Sequence, residues 1–174
     1  DNPALSDMVI SVAAGMASDE SPQAVFDWAL KLSPGLQADA LRLAVVSWVG
    51  KDPAAAAEKI RSLPEDRREP LTRAIAENWT RQDPVKASAW VATCAEPNQG
   101  ALVVQVLEQW TNQEPEKAHR WLGTLPAGVA RDEGISYMIR REARHDPELL
   151  VPWLDLISDP KLRAQRKMDL DSHR

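Results

Sequence analysis

The hydrophobic positions of the chain follow a helical period, and the same pattern recurs about every 31 residues. After the prolines that open the repeats, apolar residues fall three, six, seven and ten positions later. The clearest case follows Pro115, where this stripe consists of Ala118, Trp121, Leu122 and Leu125. The i, i+3, i+4, i+7 spacing predicts an amphipathic helix that buries one face.

A second apolar stripe precedes the opening proline of the next repeat. In the first repeat it consists of Leu41, Ala44, Val45 and Trp48, again at helical spacing. We call the helix after the opening proline the first helix of a repeat, and the helix before the next one the second helix. The alternation of apolar and polar residues that marks strands does not occur, so the pattern predicts an all-α chain.

Prolines mark both ends of the predicted first helices. The opening pairs are 31, 31, 31 and 32 residues apart: Ser21-Pro22, Asp52-Pro53, Asp83-Pro84, Glu114-Pro115 and Asp146-Pro147. Ser or Asp at the N-cap accepts a backbone N–H and Pro at the first helical position loses no bond, so each pair predicts a helix start, with Glu114 the weaker cap. A second series is expected to end the first helices, because the residue before proline avoids the α region: Pro34, Pro64, Pro97, Pro126 and Pro160.

The seven tryptophans obey the same period. Those that lie six residues after an opening proline are Trp28, Trp90, Trp121 and Trp153, with Lys59 in that place in the second repeat. Those that lie five residues before the next opening proline are Trp48, Trp79 and Trp110, with Glu142 in that place in the fourth repeat. We expect them to pack as core and not to form a stacking surface for a nucleic acid or a sugar. Trp79 should lie near Trp90, and Trp110 near Trp121.

These features predict a single all-α domain over residues 1–174, an α–α superhelix (solenoid) of about five 31-residue helical hairpins. The predicted segments are the repeats 21–51, 52–82, 83–113 and 114–145, a partial or capping repeat over 146–174, and a lone second helix within 1–20. This last helix is either a cap or the edge of an array that continues upstream. Its apolar stripe consists of Val9, Ile10, Ala13, Ala14 and Ala17.

The string from Trp110 to Pro126, W-x3-E-P-x2-A-x2-W-x3-L-P, carries a resemblance to a known group. It resembles the α-solenoid repeats of the tetratricopeptide, Sel1-like and half-a-TPR group, and most of all bacterial repeat proteins with a W…DP…A…W…LP signature. The W-x2-L-G-x2-Y opening of the tetratricopeptide repeat is absent. The resemblance covers about residues 5–160 and implies a curved stack of hairpins with a concave face, but no ligand residues.

Composition narrows the classes of partner. The net charge of −5, from 21 Lys plus Arg against 26 Asp plus Glu, disfavours a broadly basic nucleic-acid surface. No apolar run approaches the roughly 20 residues that span a bilayer. The single cysteine, Cys94, excludes an internal disulfide and is expected to be a small buried apolar residue. Cysteine use fits any compartment, so the sequence leaves the localisation open.

The chemistry-bearing residues do not form a catalytic set. Glu142 and His145 make a Glu-x2-His pair, which is one half of a helix-bundle metal site whose other half is missing. Phosphate-binding glycine motifs are absent as well. We therefore predict no cofactor, no metal and no enzymatic activity. The basic groups Arg140, Arg141 and Arg144 on the fourth second helix, and Lys161 to Lys167 in the tail, are expected to be solvated rather than anion-binding.

We predict a non-catalytic scaffold that binds a protein or peptide partner of unknown identity. The resemblance implies that first helices line the concave face. The off-stripe residues that would contact the partner there are Phe26, Asp27, Lys31, Glu58, Arg61, Lys86, Ala89, His119 and Arg120. Two alternatives stay open: a nucleic-acid-binding helical repeat module, and a structural segment of a longer multidomain protein.

Overall fold

All secondary structure in the described part of the chain is helical. The computed structural model describes residues 3–19, 21–94, 98–145 and 147–173, and the side chains in these ranges except those of residues 3–6 and 17–19. Within these ranges the chain forms eleven α-helices and no strand, which confirms the predicted all-α class. None of the helices in these ranges is both long and apolar enough to cross a membrane.

Short and long helices alternate along the chain. The first helices span 8 to 10 residues each: α2 (Pro22–Ala29), α4 (Pro53–Ile60), α6 (Pro84–Val91), α8 (Pro115–Thr124) and α10 (Pro147–Leu154). The second helices span 12 to 18 residues each: α1 (Pro3–Asp19), α3 (Pro34–Lys51), α5 (Glu65–Gln82), α7 (Gln99–Gln113), α9 (Val129–Glu142) and α11 (Pro160–Asp171).

The first helices begin where the opening pairs predict. The side chains of Ser21, Asp52 and Asp83 each accept a hydrogen bond from the backbone N–H three residues on, at 3.2, 3.0 and 3.0 Å. Glu114 makes no such cap, as expected for the longer side chain. Its carboxylate instead accepts a bond from Trp110 Nε1 at 3.1 Å. The cap predicted at Asp146 lies outside the described residues.

The ends of the first helices differ from the prediction. The second proline was expected to stop each first helix, but α2 ends at Ala29 and α10 at Leu154, several residues earlier. Pro34 and Pro160 instead occupy the first position of the following second helix. A proline with its φ preset for a helix and no N–H to satisfy favours the start of a helix as much as the end of the preceding one.

A series of Gln and Arg side chains near the start of the second helices stabilises the C-terminal ends of the first helices. Gln37 Nε2 donates to the carbonyl of Leu30 at 2.8 Å, and Gln99 Nε2 donates to that of Ala92 at 3.0 Å. Three arginines make the same kind of contact at 3.0 to 3.4 Å. The bonds satisfy carbonyls that the end of a helix leaves without a partner. The members of the series are 31, 31, 32 and 32 residues apart: Gln37, Arg68, Gln99, Arg131 and Arg163.

The chain divides into two compact units, Asp1–Gln82 and Asp83–Arg174, and the boundary falls between the second and third sequence repeats. Inside each unit a first helix packs against its own second helix, and consecutive second helices pack together. We call the pairs α2/α3, α4/α5, α6/α7, α8/α9 and α10/α11 hairpins 1 to 5. Fully buried aliphatic side chains form the cores, including Val45 and Ile75 in the first unit and Leu107 and Ile135 in the second.

The predicted stripe of α1 is only half correct. Val9 and Ala13 are buried, whereas Ile10 and Ala14 are exposed, and the side chain of Ala17 lies outside the described residues. The helix packs against α2 and α3 on one side. The other edge of its apolar stripe therefore stays in solvent.

Candidate functional site

The residues predicted to contact a partner all lie on first helices or in the turns that follow them. All except Phe26 are exposed or half-buried. The side chains that reach solvent are those of Asp27 on α2, Lys31 after α2, Glu58 on α4, Arg61 after α4, Lys86 and Ala89 on α6, and His119 and Arg120 on α8. We call this set, without Phe26, the first-helix face.

The assignment of Phe26 to the binding face is wrong, because its side chain is fully buried. Its ring lies edge-on to that of Trp48, with 5.9 Å between centroids and 69° between planes. Phe26 lies off the apolar stripe of its own helix, but its position brings it against the second helix of the same hairpin. A large aromatic ring at this position is part of the core.

Several charges of the first-helix face pair inside the chain. Exposed pairs of this kind contribute little, about 0–1 kcal/mol, so their charges remain able to exchange partners. In the described part of the chain, Lys31 and Arg120 form no ion pair. The pairs, with N···O distances of 2.9, 3.0 and 3.1 Å, are Asp27–Lys59, Glu58–Arg61 and Lys86–Asp83.

The tryptophans fall into two classes. On second helices, Trp48, Trp79 and Trp110 are 8%, 7% and 3% exposed, so these three are core residues as predicted. The first-helix tryptophans are only half-buried, and they place an aromatic edge at the surface of four hairpins. Trp110 and Trp121 lie with ring centroids 5.9 Å apart, which confirms their predicted contact. Trp79 and Trp90 belong to different units, and their contact stays a prediction.

Three sequence positions recur around the point where one hairpin joins the next, and members of each set contact one another. The first position lies four residues after the opening proline of one hairpin. The second lies five residues before the opening proline of the following hairpin, and the third lies six residues after that proline. We name each set after one member. The sets that lie within one unit are the Phe26 cluster (Phe26, Trp48, Lys59), the Trp110 cluster (Ser88, Trp110, Trp121) and the His119 cluster (His119, Glu142, Trp153).

Each cluster contains at least one close contact between its members. In the Phe26 cluster, Lys59 Nζ lies over the Phe26 ring, 5.8 Å from its centroid. The ammonium is held there by Asp27, at 2.9 Å. This arrangement combines a cation, a carboxylate and an aromatic face, and such contacts stabilise a cation by about 0.5–2 kcal/mol.

The His119 cluster is polar where the Trp110 cluster is apolar. His119 Nε2 donates to Glu142 Oε1 at 3.1 Å. The imidazole lies edge-on to the Trp153 ring, with centroids 6.3 Å apart and 74° between planes. The His119 and Glu142 side chains are 26% and 27% exposed, so the pair opens to solvent beside the first-helix face. The side chain of Glu142 therefore pairs with His119, a partner that the Glu-x2-His spacing of Glu142 and His145 did not indicate.

The three clusters follow a rule of size. Where the first position is small, as at Ser88, both other positions are Trp; where it is large, as at Phe26 and His119, one Trp is replaced. Interiors are close-packed and tolerate neither voids nor extra volume, so a larger side chain at one position requires a smaller one at another. In the repeats on either side of the boundary between the units, the same sequence positions hold Ala57, Trp79 and Trp90. A small first residue again goes with two tryptophans, as the size rule requires.

Two cavities lie between second helices, away from the first-helix face. One in the first unit encloses about 370 Å³ between α3 and α5, and one in the second unit encloses about 410 Å³ beside α9 and α11. None of the predicted partner-binding residues lines either cavity. The walls of the first carry the apolar residues Pro34, Ala38, Leu41, Pro70 and Leu71 and the charged residues Asp39, Arg42, Asp66 and Arg67.

The remaining candidate residues take structural positions. Arg140 donates to Ser136 Oγ at 3.2 Å, and Arg141 donates to Asn112 Oδ1 at 2.6 Å. Cys94 is half-buried in the turn after α6, and not fully buried as expected. In residues 3–19, 21–94, 98–145 and 147–173, no group of three or more His, Cys, Asp or Glu side chains is arranged to hold a metal ion.

Comparisons with known proteins do not assign the chain to a family, because no family model, curated protein or solved structure matches it. The resemblance to α-solenoid repeats therefore depends on the residues quoted above.

Proposed function

We propose that the chain is an α-solenoid of helical hairpins that binds a protein or peptide segment along the first-helix face and performs no catalysis. Three recurrences support the solenoid: the caps at the opening prolines, the Gln/Arg series at the helix ends, and the clusters between hairpins. The caps and the Gln/Arg bonds each repeat one contact at the same sequence position, and the clusters use the same three positions. Contacts that recur in this way are typical of stacked repeats in which a hairpin packs only on its neighbours.

The half-burial of the first-helix tryptophans carries the proposal for the binding face. Trp28, Trp121 and Trp153 occupy one repeat position and leave part of the indole in solvent, whereas the tryptophans of second helices are buried. Trp and Arg are the side chains most often responsible for binding energy at protein interfaces. An aromatic edge in four of the five hairpins, flanked by exposed charges of both signs, suits an extended segment that contacts several hairpins.

A nucleic-acid partner has less support from the same face. It needs a row of basic side chains to neutralise phosphates. Glu58 and Asp83 lie next to Arg61 and Lys86 and offset their charge, so in the described residues Lys31 and Arg120 are the Lys and Arg side chains of the first-helix face without an ion pair. Binding of single-stranded DNA that weakens steeply with added salt would favour this alternative over a peptide.

Selection of binders from a random peptide library displayed on phage tests the proposal. The best peptide is synthesised, and its affinity is measured by fluorescence anisotropy for the intact chain and for two triple variants. Asp27→Ala/Arg61→Ala/Arg120→Ala changes the first-helix face, and Asp39→Ala/Arg42→Ala/Arg67→Ala removes the same charges from the cavity between α3 and α5. We expect the first variant to lose affinity and the second to keep it. The reverse result would place binding in the cavity and reject the proposed face.

A further inference from the structure

We propose that the His119 cluster selects the partner by taking a lysine or arginine side chain of the bound segment. The proposal depends on the proposed function, because it names what the first-helix face recognises. The cluster lies on α8, α9 and α10, it includes the half-buried Trp153, and His119 is followed in the chain by the exposed Arg120.

Glu142 occupies a position where a carboxylate contributes little to the fold. It replaces the tryptophan that α3, α5 and α7 bury at this position, and it lies in the last turn of α9. A negative charge at that end is unfavourable, because the helix dipole is negative there. A residue that breaks a local rule without a compensating gain in stability is expected at functional positions.

The carboxylate retains capacity to bind a cation. Oε1 accepts the bond from His119, and in the described residues no hydrogen bond reaches Oε2. The side chain is 27% exposed, so a group from solvent can reach it. The basic side chains of its own helix are engaged elsewhere, since Arg140 binds Ser136 and Arg141 binds Asn112.

The aromatic rings supply the second element of a cation site. The imidazole of His119, which binds the carboxylate through Nε2, meets the indole of the half-buried Trp153 in a T-shaped contact. Arg and Lys bind to the faces of aromatic rings, and a charge-assisted bond to a carboxylate adds to that attraction. A long basic side chain can satisfy both by laying its stem on the ring and its charged end on the carboxylate.

The Phe26 cluster provides an internal precedent. At the equivalent junction between hairpins 1 and 2, Lys59 Nζ lies 5.8 Å from the centroid of the Phe26 ring and 2.9 Å from the Asp27 carboxylate. There the chain supplies the cation from the position six residues after an opening proline. In the His119 cluster that position holds Trp153, so the carboxylate and the rings are present while the cation must come from a partner.

The test uses the peptide pool selected on the intact chain and three variants. We expect Lys or Arg to be enriched at one position of the pool. Replacement of that residue by norleucine should weaken binding by about tenfold or more, the size of one charge-assisted bond. Glu142→Gln should cause a loss of similar size for the Lys peptide and none for the norleucine peptide. Glu77→Gln, which removes an exposed carboxylate from the other unit, is the matched control.

Charge reversal provides the sharpest arm of the test. A selection repeated on Glu142→Lys should enrich Asp or Glu at the position that held Lys or Arg. A pool without any basic preference, or a Lys peptide that binds Glu142→Gln as tightly as the intact chain, overturns the inference but leaves the proposed function standing. A library that yields no binder at all rejects both. Circular dichroism of each variant checks that helix content is unchanged.

Discussion

The Trp110 cluster and the His119 cluster occupy the same three positions in successive junctions of one unit, yet one is apolar and the other polar. In the first, Ser88 is small and buried, and the indoles of Trp110 and Trp121 lie with their centroids 5.9 Å apart. In the second, the larger His119 pairs with Glu142 at 3.1 Å. The size rule predicts that the fold fixes the volume of the junction and leaves its chemistry free to vary.

The contrast between the Trp110 cluster and the His119 cluster distinguishes a junction that mainly holds hairpins together from one that can recognise a partner. A buried aromatic pair contributes apolar area and a ring contact of about 0.5–1.5 kcal/mol. A half-exposed His–Glu pair contributes little, because solvent screens it. The chain thus gives up stability at one junction, and this is the junction to which we assign the choice of partner.

The largest effect is expected when the apolar Trp110 cluster is disrupted. Trp110→Ala removes a side chain that is 3% exposed and should lower the free energy of unfolding by about 3–5 kcal/mol, as for other large buried aromatics. Urea unfolding followed by helix circular dichroism measures it. Trp121→Ala is the matched variant, and its loss should be smaller because Trp121 is half-buried. Equal losses for the two would contradict the assignment of Trp110 to the core.

The next effect tests the size rule inside the same cluster. Ser88→Phe places a ring like that of Phe26 where two tryptophans already fill the space, and overpacking should cost about 1–3 kcal/mol. Adding Trp121→Lys reproduces the composition of the Phe26 cluster and should recover part of this loss. If Ser88→Phe is neutral in urea unfolding, the junction does not have a fixed volume.

A smaller effect concerns a contact that hairpins in both units share. Gln99→Met keeps the volume of the side chain but removes the donor to the Ala92 carbonyl, and should cost about 1 kcal/mol. Gln37→Met, in the other unit, should lose the same amount, because Gln37 donates to the Leu30 carbonyl in the same way. Thermal unfolding of both variants checks this. Losses that differ severalfold would show that the series is not one repeated device.

The smallest effect depends on pH. The Lys117 ammonium, and then the Trp110 indole N–H, hold the pKa of Glu114 below its ordinary value of 4.5. Because the pKa is lower in the folded chain, the carboxylate contributes stability above pH 4.5, and this contribution is lost as the pH falls through the folded pKa. The difference in unfolding free energy between the intact chain and Glu114→Gln should therefore shrink below that pH. A difference that stays constant as the pH falls would contradict the pairing of Glu114 with Lys117.

The sequence predicted the helix starts and the core tryptophans because both depend on local or periodic signals. Asp52 and Asp83 cap the helices that their prolines open, since an N-cap is satisfied within three residues. Trp110 and Trp121 meet because eleven residues of helix, turn and helix bring these positions together.

Three features of the structure were not predictable in the same way. The stripe of α2 excludes Phe26, whose buried ring packs against Trp48 of the second helix. The Gln/Arg series has a regular spacing that was visible in the sequence. Its role was not, because a polar residue near a helix start has no local feature that indicates a bond to the carbonyls of another helix. The cavities between second helices also depend on packing between elements.

A double-mutant cycle that converts the His119 cluster into the Trp110 cluster tests the central claim most directly. Glu142→Trp alone should destabilise the chain, because His119 occupies the space that a second indole needs. His119→Ser with Glu142→Trp restores the composition of Ser88, Trp110 and Trp121, and should be more stable than the sum of the single changes by about 1–3 kcal/mol in urea unfolding. A coupling energy near zero would show that these positions do not form one junction.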